Sequence, residues 1–139
     1  MSRHFALYFA LATIAATNAV SLASAAESEA CRDIRLRYEA IQPQISAIEV
    51  SLTLFSAVDK NCIDVATQLL DSGASVDARD RFGARPLSHA ARFGHLPMVD
   101  LLLARGAPID ARNLAGATAL FFAADGNHTP VAQRLAART

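Results

Sequence analysis

The sequence predicts an all-α repeat solenoid, built of helix-turn-helix units with β-hairpin loops between them and closed in front by a capping helix. Three observations predict it. First, the segment Gly83-Ala-Arg-Pro-Leu-Ser-His-Ala-Ala-Arg-Phe-Gly-His95 superposes on Gly116-Ala-Thr-Ala-Leu-Phe-Phe-Ala-Ala-Asp-Gly-Asn-His128 at a shift of 33 residues, and Leu69-Leu70 with the stretch to Ala78 falls on Leu102-Leu103 and the stretch to Ala111 at the same shift. Second, apolar residues inside one period recur at three- and four-residue spacing, which is the interval of a helix face. Third, Gly94 and Gly106 stand where two successive helices must stop, because glycine tolerates the left-handed conformation that closes a helix.

The elements follow in chain order. Arg3 is the only formal charge before Glu27; an apolar run from Phe5 to Ala16 comes next, and small residues close the segment at Ala23-Ser24-Ala25. That pattern predicts a secretory signal peptide over residues 1–25, cleaved before Ala26. Thr13, Thr17 and Asn18 break the run before it reaches the ~20 apolar residues of a membrane span. In residues 26–50, Ile34, Tyr38 and Ile41 lie at i, i+4 and i+7 among charged neighbours, so a capping helix is expected there, ended by Pro43. Residues 51–139 hold the repeats: a weak one at 51–83, a full one at 84–116 and a short one at 117–139.

Within the full repeat, Pro86 is preset for a first helical position, where its missing N–H costs nothing. Leu87, Ala90 and Ala91 form a narrow stripe whose alanines admit a second helix closely, and Met98, Val99, Leu102 and Leu103 supply that helix. Such a unit cannot bury its own faces, so about three must stack, with atypical units at the ends. Arg134, standing where Leu101 stands one period earlier, is expected to turn the last helix toward water.

A 33-residue period with a Pro-Leu-x-x-Ala-Ala opening and a Leu-Leu-x-x-Gly-Ala close resembles the ankyrin repeat. The likeness spans residues 51–139 and is densest at 84–116. Four positions depart from the family pattern. Arg85 replaces the usual capping Thr, Ala119 replaces the proline, and Ser88 and Phe121 replace the His after Pro-Leu. The hydrogen bonds of that His must therefore be absent or remade. The resemblance implies a protein-binding role. Its partner-facing positions, the hairpin tips and the exposed side of each first helix, here read Arg79, Arg81, Phe82, Arg92, Phe93, Arg112, Leu114 and Asp125. Arg and aromatic side chains are the types enriched at binding hot spots.

Without residues 1–25 the chain keeps 12 basic against 13 acidic side chains, so it lacks the basic footprint that nucleic acid demands. Ser88 and His89 adjoin, with Asp100 and Asp125 available, but neighbours on a helix point about 100° apart and make no nucleophile–base pair. His95 and His128, one repeat or ~10 Å apart, cannot share a metal whose bonds are ~2 Å. No catalytic residue, metal or cofactor is expected. Cys31 and Cys62 have two readings: a disulfide favoured by an exported chain, or two separate buried thiols. A monomeric interaction module in the periplasm or outside the cell, free of the membrane after cleavage, is the leading expectation. A secreted effector or immunity-type inhibitor is the alternative, and an enzyme the remote third.

Overall fold

Capping chemistry places the helix starts. In the computed structural model, which describes residues 27–139, these residues form seven helices. The expected signal peptide lies outside the described residues. Helix α1 (Glu29–Ile41) begins where the Ser28 hydroxyl accepts the Cys31 N–H at 3.2 Å. It ends as expected before Pro43, with Gln42 extended. Its buried side is Cys31 and Tyr38, with Ile34 partly buried; Ile41, expected on that stripe, is exposed at the helix end.

Helix α2 (Ala47–Asp59) opens on a reciprocal cap: Ser46 Oγ accepts the Glu49 N–H, and the Glu49 carboxylate accepts the Ser46 N–H at 2.9 Å. The boundary expected between residues 50 and 51 therefore falls inside this helix. No proline stands at Thr53, where Pro86 starts the next repeat, so the helix runs on toward its N-terminus. Then come α3 (Ile63–Asp71), α4 (Pro86–Arg92), α5 (Leu96–Ala104), α6 (Ala119–Asp125) and α7 (Thr129–Ala136). Prolines occupy the first turns of α4, α5 and α7. Arg85 gives α4 no side-chain cap, whereas Thr118 caps α6 by accepting the Phe121 N–H.

The helices make two layers. Helices α2, α4 and α6 pack side by side in one row, α3, α5 and α7 in the other, and α1 lies across α2 and α3. The core repeats with the period: Leu69, Leu102 and Leu135 are each fully buried, as are Ala57, Ala90 and Ala123. Burying one such leucine contributes about 1.5–3 kcal/mol, while the alanines let the rows approach.

A histidine hydrogen bond ties each later repeat to the one before. Gly94 has φ +71°, and the same left-handed place is taken by Asn61 and Asn127 one period away. The next residue then turns inward: His95 Nε2 donates to the Asp59 carbonyl at 2.9 Å, and His128 Nε2 to the Arg92 carbonyl at 2.8 Å. Both carbonyls close a helix and lack an intrahelical partner, so each histidine satisfies a group that would otherwise be orphaned. Cys62 occupies this place in the first repeat, and it is joined to Cys31 with a Cα–Cα distance of 5.3 Å. The disulfide thus pins α1 to the stack where histidine pins the later repeats.

The expected β-hairpins are not formed: among the described residues there is no strand. Each loop closes on itself, by a backbone bond (Asp80 N–H to the Ala84 carbonyl at 2.9 Å, Asn113 N–H to the Ala117 carbonyl at 3.0 Å) and on a side chain. Asp80 Oδ1 accepts the N–H groups of Phe82 and Ala84, and Asn113 Oδ1 accepts those of Ala115 and Ala117. These Asx turns capture donors that a ladder would need. One backbone bond, Leu114 N–H to the Phe82 carbonyl at 3.0 Å, joins adjacent loops. Arg134 does not simply face water, since it pairs with Asp100 on α5.

Candidate functional site

The loop tips and the row α2–α4–α6 face each other across a groove. Two hollows of about 390 and 720 Å³ lie along it and meet at Asp80, Phe82, His89 and Arg92. Each falls in the size range of a small-molecule site, but joined end to end they make a trough open along its length. Its lining carries large apolar side chains that stand out into solvent. Ile48 is 73% exposed, Leu52 61%, Phe82 59%, Leu114 82% and Phe121 55%, and all five line the two hollows. Aligned on one side of a small protein, they form the kind of patch that marks an interaction surface.

The charges in the groove are arranged unevenly. Arg81 lies 4.9 Å from the centre of the Phe82 ring and Arg92 5.2 Å from that of Phe122, within cation–π range. Arg79 stands exposed beside them. Among the described residues these three arginines enter no ion pair, whereas Arg35, Arg37, Arg85, Arg105 and Arg134 each hold a carboxylate. The one acid lining the groove is Asp80, and both its oxygens are engaged: Oδ1 by the two loop N–H groups, Oδ2 by His89 Nε2 at 3.0 Å. Burial pulls its pKa upward, but the hydrogen bonds from His89 and from the backbone of Ala84 and Phe82 outweigh it and hold the carboxyl below its ordinary value.

His89 is the hinge of this arrangement. Its Nδ1 meets Asp59 Oδ1 at 2.7 Å, its Nε2 meets Asp80, and its ring packs 4.8 Å from that of Phe55. Each ring nitrogen faces a carboxylate oxygen, one from the end of α2 and one from the loop before its own helix. The network expected of a histidine after Pro-Leu is thus remade one residue later, while Ser88 in the usual place is buried. With both ring nitrogens committed, His89 makes no hydrogen bond to Ser88.

Of the residues singled out by sequence, the groove brings together Arg79, Arg81, Phe82, Arg92 and Leu114. Phe93 is exposed at the end of α4 and stacks on His95, 5.9 Å between ring centres. Arg112 and Asp125 are exposed outside both hollows, and the Arg112 carbonyl accepts from Arg85 at 3.4 Å. Sequence reasoning missed Ile48, Leu52, Phe55, Phe121 and Phe122. A signal existed for the first pair: Ile48 and Leu52 are spaced i, i+4, on a face that excludes Leu54 and Val58.

No curated protein matches the chain. A family model described as ankyrin repeats, in three copies, matches residues 54–139, which is more than half the chain and covers six of the seven helices in whole or part. With helix pairs stacked in a 33-residue register and that match over them, the chain belongs to the ankyrin-repeat family.

Proposed function

We propose that this protein is a non-catalytic interaction module that acts as a monomer in the periplasm or outside the cell and binds another protein along the α2–α4–α6 groove. Ankyrin repeats indicate a protein-interaction module, and the family is generally a non-catalytic scaffold. The observation that carries the choice of face is the line of exposed apolar side chains from Ile48 to Phe121. Export is supported by Arg3, the apolar run and Ala23-x-Ala25, and an oxidising compartment agrees with the Cys31–Cys62 bond. Among the described residues no helix is long and apolar enough to cross a membrane.

Affinity capture from the exported fraction tests the reading, with wild type, Phe82→Ala and Leu102→Ala as parallel baits. Phe82 is exposed, so its loss should weaken retention of the partner by ~1 kcal/mol or more while leaving the melting temperature unchanged. Leu102 is fully buried, and its truncation should cost ~2–5 kcal/mol of stability and lose binding only through unfolding. Equal retention by wild type and Phe82→Ala would place the contact surface elsewhere.

A further inference from the structure

We infer that the groove receives an acidic polypeptide segment carrying apolar side chains. The inference rests on the groove being the binding face and specifies what fills it. Its ground is an imbalance of charge. Arg79, Arg81 and Arg92 line the trough without ion-pair partners, and its one carboxylate, Asp80, has both oxygens occupied from within the protein. Elsewhere on the surface five arginines are each matched by Asp or Glu, as Arg105 is by Asp71 at 2.7 Å, and among the described residues no other stretch gathers three unmatched arginines along one hollow. The chain as a whole is neutral, so the positive strip belongs to the groove rather than to the protein at large.

The geometry narrows the ligand further. Arg81 and Arg92 lie over aromatic rings, which orders the guanidinium planes and leaves their N–H groups for oxygen acceptors. Carboxylates match that planar fork in bidentate pairs. Between the arginines the lining is Leu52, Phe82, Leu114 and Phe121, which would lie bare under a purely polar chain. A carboxylate-bearing segment with Leu or Phe interspersed satisfies both halves. Crossing three helices at ~10 Å spacing is ~20 Å, or about six residues of extended chain.

Fluorescence anisotropy on the protein produced from its full sequence, disulfide intact, tests this with four labelled probes. They are a ten-residue peptide alternating Glu with Leu and Phe, its Lys-for-Glu counterpart, deca-glutamate and a ten-nucleotide oligothymidylate. The Glu/Leu/Phe peptide should bind at least tenfold tighter than the other three at 0.15 M salt, and weaken severalfold at 0.5 M as exposed charges are screened. Arg79→Ala combined with Arg92→Ala should cost it about tenfold at unchanged melting temperature, whereas Arg138→Ala, outside the groove, should leave it unaffected. Equal or tighter binding of the Lys peptide, tighter binding of the oligonucleotide, or no binding of the Glu peptide overturns the inference. If the Glu peptide fails while a captured partner still depends on Phe82, the groove stands as the binding face and only its acidic ligand falls; if both fail, both readings fall.

Discussion

Replacing both Cys31 and Cys62 by Ser removes the disulfide cross-link between α1 and the first repeat, and its cost can be worked from the chain. The bond closes a loop with a sequence separation of 31. In the chain-entropy account, the unfolded chain without it gains about 12 cal/mol/K, or roughly 3.7 kcal/mol at 25 °C. With an unfolding entropy of ~2.1 cal/mol/K per residue, the 113 described residues give ~0.24 kcal/mol/K, so the melting temperature should fall by roughly 15 °C. Differential scanning calorimetry of wild type, wild type under reductant and the double variant reads this directly, and the last two should coincide. The loss should also be local, because a repeat stack couples mainly nearest neighbours. Amide exchange should quicken in α1 and α2 far more than in α6 and α7. A double variant melting within ~3 °C of oxidised wild type, or losing protection evenly along the stack, would refute the idea that the disulfide fastens the cap.

Three further outcomes are expected. Asp80→Asn keeps the oxygen that closes the turn, as Asn113 does one period on, but loses the charge opposite His89. Because the folded Asp80 pKa is depressed, its contribution is present above the ordinary carboxylate value and is lost as pH falls through the lower folded one. The stability gap between wild type and Asp80→Asn should therefore be open at pH 5.5 and closed near pH 2, and an equal gap at both would be contrary evidence in urea titrations. Gly94→Ala forces an L-residue to φ +71° and drives its Cβ within 2.8 Å of the His128 imidazole, so it should lose about 2 kcal/mol or more, checked by urea midpoint. N-terminal sequencing of the native protein should begin at Ala26, and a product starting at Met1 would remove the export proposal.

The sequence by itself determined the repeat, since period, proline and glycine are local signals that act within one unit. Pro86, Leu87, Ala90, Ala91, Val99 and Leu102 could be read as helix starts and buried faces, and all are buried. The amphipathic cap was legible too, although its buried face is Cys31, Ile34 and Tyr38 with Ile41 left outside. What tertiary structure decided lies between units. His89 takes over the lost histidine network because Asp59, 30 residues back, and Asp80 both come within reach of its ring. Cys62 stands one period before His95, so the 33-residue register already aligned it with a stapling position; that it meets Cys31 depends on where α1 crosses α2 and α3. The loops could not be foreseen as Asx turns rather than strands, because ladder and side chain compete for the same N–H groups by a small energy difference. The groove gathers Arg79, Phe82 and Leu114 with Ile48 and Phe121 but leaves Phe93, Arg112 and Asp125 outside. Residues from different repeats become neighbours there only through the stacking of whole helices, which no window of sequence shorter than a repeat contains.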